Sequence, residues 1–189
     1  MRLYRVFDWD GSRLDSHAGG PLYAPRDKQG KSRHDIPHLT GVYYTSLTPL
    51  SPLVETIKVF RGQTLTDRFF IIRKELHKAL VSLELKEKVL LANLGDAVFL
   101  VKRNLSLAES ASRDRQQTQK IAEQLYKEGF AGIRWPSTLN SAWTNVSLFA
   151  DRCQRFLSVT ETPVKLSTDM PELREVAHLL GVRIGKPRS

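Results

Sequence analysis

The chain has 189 residues, with 29 Lys and Arg against 20 Asp and Glu, a formal net charge of +9, 41% hydrophobic residues and one cysteine. That length suffices for one domain with a real core, and no apolar run approaches the roughly 18 residues of a membrane-spanning helix. A single Cys153 excludes an intrachain disulfide and suits a reducing cytoplasm, and Met1-Arg-Leu-Tyr-Arg-Val-Phe lacks the apolar stretch of a signal peptide, so a cytoplasmic protein is expected. The basic balance, with a pI of about 9.8, favours an anionic partner: nucleic acid, a phosphorylated small molecule or an acidic protein. The cations are spread along the chain, so a plain solvated surface explains them equally well.

Leu3 to Phe7 is expected as a first strand, and residues 8 to 41, rich in Gly, Pro, Asp, Ser and His, as a long irregular segment of the kind that is either disordered or functional. Val42 to Ser46 follows as a short strand. Pro49 to Phe60 then reads as a helix with Ser51 as cap, Pro52 in its first turn, and Leu53, Ile57 and Phe60 on its inner face. Phe69 to Ile72 and Leu80 to Leu85 are strand candidates, and Ala97 to Val101 is read as a strand. Asp114 to Glu128 is a helix with Ile121, Ala122 and Leu125 on one face, an Asp114/Gln117 capping box, and Gly129 in the left-handed position after its end. Phe130 to Trp135, Val146 to Phe149 and Phe156 to Val159 are strands. A last amphipathic helix runs from about Met170 to Leu180, before a weakly basic tail with Arg183, Lys186 and Arg188. The sum is an α+β fold in a single domain, with a mixed or antiparallel sheet and flanking helices.

Three polar residues stand out because no single element needs them for folding: Arg33 in the run Gly30-Lys-Ser-Arg-His-Asp35, Glu55 on an otherwise apolar helix, and Ser137 at a strand end. Arginine in such a loop suits bidentate binding of phosphate or carboxylate. Glu55 would border a cleft, or else pair at the surface with Lys58 three residues on. Ser137 would face whatever lies beyond the sheet edge, or simply cap a turn. Tyr43 and Tyr44 alternate across their strand, so one faces the core and the other the opposite side, and Asn145 near Trp143 could form a second polar wall. His34, Asp35 and His38 lack a third histidine or cysteine at ligand spacing, so no metal is expected. Neither a Rossmann glycine motif nor a P-loop is present.

In order along the chain, six segments resemble the RES domain, named for an Arg, a Glu and a Ser. They are Tyr4-Arg5-Val6, Lys31-Ser32-Arg33-His34-Asp35, Val42-Tyr43-Tyr44, Leu53-Val54-Glu55, Gly129-Phe130-Ala131-Gly132-Ile133-Arg134-Trp135-Pro136-Ser137, and Asn145-Val146-Ser147-Leu148-Phe149. The resemblance covers roughly residues 3 to 160, which marks out a domain over 1–160 with a C-terminal helix and basic tail over 161–189. Trp135 stands where the family usually has tyrosine, and Arg26 competes with Arg33 for the family arginine.

The resemblance implies a fold similar to ADP-ribosyltransferases and a toxin of a bacterial toxin–antitoxin pair. Its partner would be an Xre-like helix-turn-helix antitoxin in a hetero-oligomer, with DNA reached only through that antitoxin and no membrane involved. It implies cleavage of NAD⁺ at the nicotinamide–ribose bond, with NAD⁺ as substrate, phosphate or water as acceptor, and no permanently bound cofactor. Protein mono-ADP-ribosylation, or a non-catalytic basic binding module, are the alternatives. Nicotinamide leaves as a neutral molecule, so one carboxylate is enough where ordinary glycosidases need two. The implied roles are charge stabilisation by Glu55, phosphate binding by Arg33, stacking by Tyr44, and hydrogen bonding to the substrate by Ser137 and Asn145.

Overall fold

A computed structural model describes residues 1–86 and 89–185; Lys186 and Arg188 of the basic tail lie outside them. In chain order the elements are β1 (Arg2–Trp9), β2 (Val42–Ser46), α1 (Leu50–Ile57), β3 (Thr64–Leu65), β4 (Ile71–Arg73), β5 (Leu76–Leu85), β6 (Leu91–Asn93), α2 (Ala97–Val101), α3 (Leu107–Ser110), α4 (Arg115–Lys127), β7 (Gly132–Pro136), β8 (Thr144–Phe149), α5 (Ala150–Cys153), β9 (Leu157–Val159), β10 (Val164–Lys165), α6 (Pro171–Leu180) and β11 (Arg183–Ile184). The fold is α+β with mixed, mostly antiparallel strand pairing and flanking helices, as the hydrophobic periodicity implied. The chain forms two compact units, each built from separated segments.

Among the described residues the first unit comprises Met1 and residues 24–47, 85–86 and 89–157. Its strands lie in the order β2-β8-β7-β6; β2 and β7 run antiparallel to β8, while β6 runs parallel to β7. A parallel neighbour needs a crossover connection, and α2, α3 and α4 supply it. Helix α4 buries Thr118, Ile121, Ala122 and Leu125, and ends at Gly129, whose φ of 96° only glycine adopts cheaply. Ile36, Val42, Ala92, Leu94, Leu100, Ile133 and Phe149 complete this core with the apolar face of α4. Gly132 opens β7 against the backbone of β8: a Cβ there would lie 2.4 Å from the Ser147 carbonyl oxygen.

Among the described residues the second unit comprises residues 2–23, 48–84 and 158–185. Strand β1 pairs antiparallel with β5 from Arg2↔Glu84 to Trp9↔His77. The opposite edge of β5 carries β10 and the β4 hairpin arm. Helices α1 and α6 pack together, burying Leu53, Val54 and Ile57 from one and Leu173, Val176 and Ala177 from the other. Burying side chains of this size contributes roughly 1.5–3 kcal/mol each. Strands β3 and β11 form a small parallel pair.

The structure corrects four local expectations. Ala97–Val101 is helix, not strand, because the Asp96 carboxylate accepts the N–H groups of Val98 and Phe99 and caps it. Pro49, not Ser51, precedes α1, and Ser51 is buried within its first turn. Asp114 caps α4 by accepting the Gln116 N–H, without a reciprocal bond from Gln117; the true capping box pairs Ser106 with Glu109. Phe69 and Phe70 belong to a 3₁₀ turn, and only Ile71–Arg73 is extended.

Candidate functional site

Cross-strand partners in a sheet share a face. Tyr44 lies opposite Ser147, Ser46 opposite Asn145, Ile133 opposite Ser147 and Trp135 opposite Asn145, so these six share one face of the first unit's sheet. Val42, Phe149 and Ala92 lie on that same face and join the core with α4. The face is therefore apolar at one end and polar at the other, where Tyr44, Ser46, Asn145, Ser147 and Trp135 gather. Tyr43 takes the opposite face and is buried.

The loop before β2 is folded against this polar end by one carboxylate. Asp35 is buried, and its Oδ2 accepts the N–H groups of Gly30 and Ser32, both at 2.7 Å. Its Oδ1 accepts the Tyr44 hydroxyl at 2.7 Å, and that hydroxyl accepts the His34 N–H at 2.9 Å. Burial and the adjoining Asp35 carboxylate hold the Tyr44 phenol well above its ordinary pKa, so it stays neutral and its hydroxyl is committed to the loop. What Tyr44 offers a ligand is its ring. Gln29 finishes the loop by pairing its side-chain amide with both the N–H and the carbonyl of Val42, as a neighbouring strand would.

Arg33 is only 7% exposed. Its Nη1 donates to the carbonyls of Ser110 and Ser112 at 3.1 and 2.9 Å, and its guanidinium carbon stands 5.1 Å from the Trp135 ring centroid. The other candidate, Arg26, donates from Nε to the Pro37 carbonyl and from Nη2 to the His38 carbonyl at an exposed position. Of the two, Arg33 is the arginine built into the polar end of the sheet. His34 beside it is fully buried, its Nδ1 2.8 Å from Ser147 Oγ and its ring edge-on to Trp135. Burial, then the fields of Arg33 and Arg115, push its pKa down from 6.5 to about 3.

Ser137 is buried; its Oγ accepts the Leu139 N–H at 3.2 Å, a serine turn, while its own N–H donates to Trp143. Asn145 is buried on β8 opposite Trp135. Arg33, Tyr44, Ser137 and Asn145 thus belong to the first unit. Glu55 belongs to the second, on α1, where it is about a third exposed and ion-paired with Lys58, the surface pairing that its spacing allowed. Among the described residues no three His, Cys, Asp or Glu side chains converge as metal ligands; His34 and Asp35 are engaged by Ser147, Tyr44 and the loop backbone. Cys153 donates to the Ala131 carbonyl, and burial pushes its thiol up to about 12, so it is no nucleophile. No described helix is long and apolar enough to cross a membrane.

Three contributors to this arrangement were not singled out from the sequence. Ser147 accepts the Trp135 indole N–H at 3.2 Å as well as meeting His34; its signal was a polar residue two positions after Asn145, on the same face of β8. Trp135, in sequence a departure from the family's tyrosine, carries Arg33 on its face. Asp35, in sequence one of a His-Asp-His group, serves as the loop's anchor.

The fold has a solved counterpart. A chain of the M. tuberculosis MbcT–MbcA toxin–antitoxin complex superposes with a TM-score of 0.66, covering 96% of this chain and 89% of its own length at 13% identity. No curated protein matches the chain in sequence. The RES domain model matches residues 2–169, nearly the whole described chain and every segment that carries Arg33, Tyr44, Glu55, Ser137 and Asn145. The chain is a member of the RES-domain family.

Proposed function

We propose that this protein is the toxin of a toxin–antitoxin pair and that it cleaves NAD⁺ at the nicotinamide–ribose bond, passing ADP-ribose to phosphate or water. The observation that carries this reading is the buried Arg33, held on Trp135 at the polar end of one sheet face beside Tyr44 and Asn145 in a chain of the RES family. A guanidinium fixed by two carbonyls and an indole is preorganised for a diphosphate, because little side-chain entropy remains to be lost on binding.

In this mechanism the bond to nicotinamide breaks with both electrons leaving on the neutral base, and positive charge grows on the ribose. Glu55, assigned by the family pattern, stabilises that charge; its carboxylate must exchange Lys58 for substrate as it does so. The Tyr44 ring stacks on the nucleotide, and Ser137 and Asn145 hold its hydroxyls. Phosphate or water then attacks the anomeric carbon. An Xre-like helix-turn-helix antitoxin in a cytoplasmic hetero-oligomer would keep the activity silent, a reading supported by the fold's likeness to a chain from a toxin–antitoxin complex.

Incubation of the purified protein with NAD⁺, with and without phosphate, tests the reaction. Free nicotinamide is expected, with ADP-ribose 1″-phosphate in the first case and ADP-ribose in the second. Glu55→Gln should lower turnover at least a hundredfold, about 2.7 kcal/mol of transition-state stabilisation, while leaving the fold intact. Intact NAD⁺ beside a labelled protein would instead identify a protein ADP-ribosyltransferase, and full activity in Glu55→Gln would remove that residue from the mechanism.

A further inference from the structure

His34 is the one fully buried titratable group at the polar end that the proposed reaction does not use. Its surroundings fix its proton. Trp135 Nε1 can only donate, so Ser147 Oγ accepts from it at 3.2 Å. Ser147 then has one hydrogen and one lone pair left for His34 Nδ1, 2.8 Å away. If Nδ1 carried the imidazole proton, Ser147 would accept twice, and both its own hydrogen and His34 Nε2 would stand buried with no protein acceptor or donor. If Nε2 carries it, Ser147 donates to Nδ1 and only Nε2–H is unpaired. The second arrangement strands one group instead of two, and buried unpaired groups are costly. It also forms a directional chain: Ser147 O–H to His34, and Trp135 N–H to Ser147.

We propose that His34 is a positioning residue: in its Nε2–H tautomer it holds Ser147, and through it the Trp135 indole, in the plane on which the Arg33 guanidinium rests. Four observations meet here. The His34 ring is fully buried and contacts Trp135 edge-on at 5.5 Å between centroids, at an interplanar angle of 88°. Its backbone N–H is tied to Tyr44. Ser147 bridges the two rings. Arg33 lies over the indole. A phenylalanine would fill the same space without an unpaired polar atom, so the imidazole's nitrogen is a local expense of stability, and such an expense marks a position whose geometry serves something other than the fold.

The test uses the whole ¹⁵N-labelled protein and needs no substrate. The wild type is expected to show the ¹⁵N pattern of a neutral Nε2–H imidazole for His34. In His34→Phe and Ser147→Ala the Trp135 indole N–H resonance should shift, and His34→Phe should melt no lower than the wild type. A neutral Nδ1–H pattern, or an indole resonance unmoved in both variants, overturns the proposal; should His34→Phe not fold, Ser147→Ala and the wild-type tautomer decide. A kinetic arm rests on the NAD⁺ reading above: His34→Phe should raise KM for NAD⁺ several-fold with kcat nearly unchanged, as a misplaced Arg33 would. No turnover in the wild type would defeat that reading alone, since the tautomer and the indole resonance report positioning without it. Lower kcat with unchanged KM counts against positioning.

Discussion

Single side chains set the polar end of the first unit's sheet, and their chemistry sets measurable consequences. Asp35 accepts three hydrogen bonds from Gly30, Ser32 and Tyr44. Replacing it with Ala strands those donors, and hydrogen bonds to a charged group contribute about 1.5–3 kcal/mol each. Asp35→Ala should therefore cost about 3 kcal/mol or more in chemical denaturation. His34 makes stability depend on pH in a definite direction. Unfolded, the imidazole takes a proton at its ordinary value near 6.5; folded, it refuses one until about 3. The unfolded state thus binds more protons between those values, and stability falls as pH falls through that window, by up to about 1.4 kcal/mol per pH unit. Above pH 6.5 this contribution is fully present. Melting temperatures of wild type and His34→Phe should draw apart on acidification, the wild type falling further, since carboxylates titrate in both and only the histidine differs. Residues like these were half legible: Arg33 and Tyr44 stood out by type and place, whereas Ser147 is an ordinary serine until the register puts it between a histidine and a tryptophan.

Elements with strong periodicity were legible from sequence alone, and those decided by their ends were not. Helix α4 announced itself through Ile121, Ala122, Leu125 and Gly129, and α6 through Leu173, Val176 and Ala177. Ala97–Val101 reads as strand because its valines and phenylalanine favour extended backbone, and five residues are too few to show a helical period. The Asp96 cap reverses that preference. Asp96→Ala should destabilise by about 1 kcal/mol, measured by denaturant titration, with the loss confined to amide protection around α2. The parallel pairing of β6 with β7 had no local signature either, since it depends on three helices returning the chain to the same sheet.

At the scale of the molecule, the segments of both compact units interleave along the chain, so no cut in the sequence separates them. Helix α6 packs on α1. Leu173 is fully buried there, and Leu173→Ala should lower stability by about 2–5 kcal/mol in the isolated protein, read as a drop in melting temperature without any partner present. The fold class was legible because alternation and helical period are averages over many residues; the division into interleaved units was not, because it rests on pairings between distant segments. One residue joins these scales. Gly132 contributes no side chain, no charge and no unusual φ, yet a single methyl there would collide with the carbonyl of Ser147. It works as a gauge block between two strands. Gly132→Ala would wedge β7 off β8 and carry Trp135 away from Ser147, disabling a site from a position with no functional group at all.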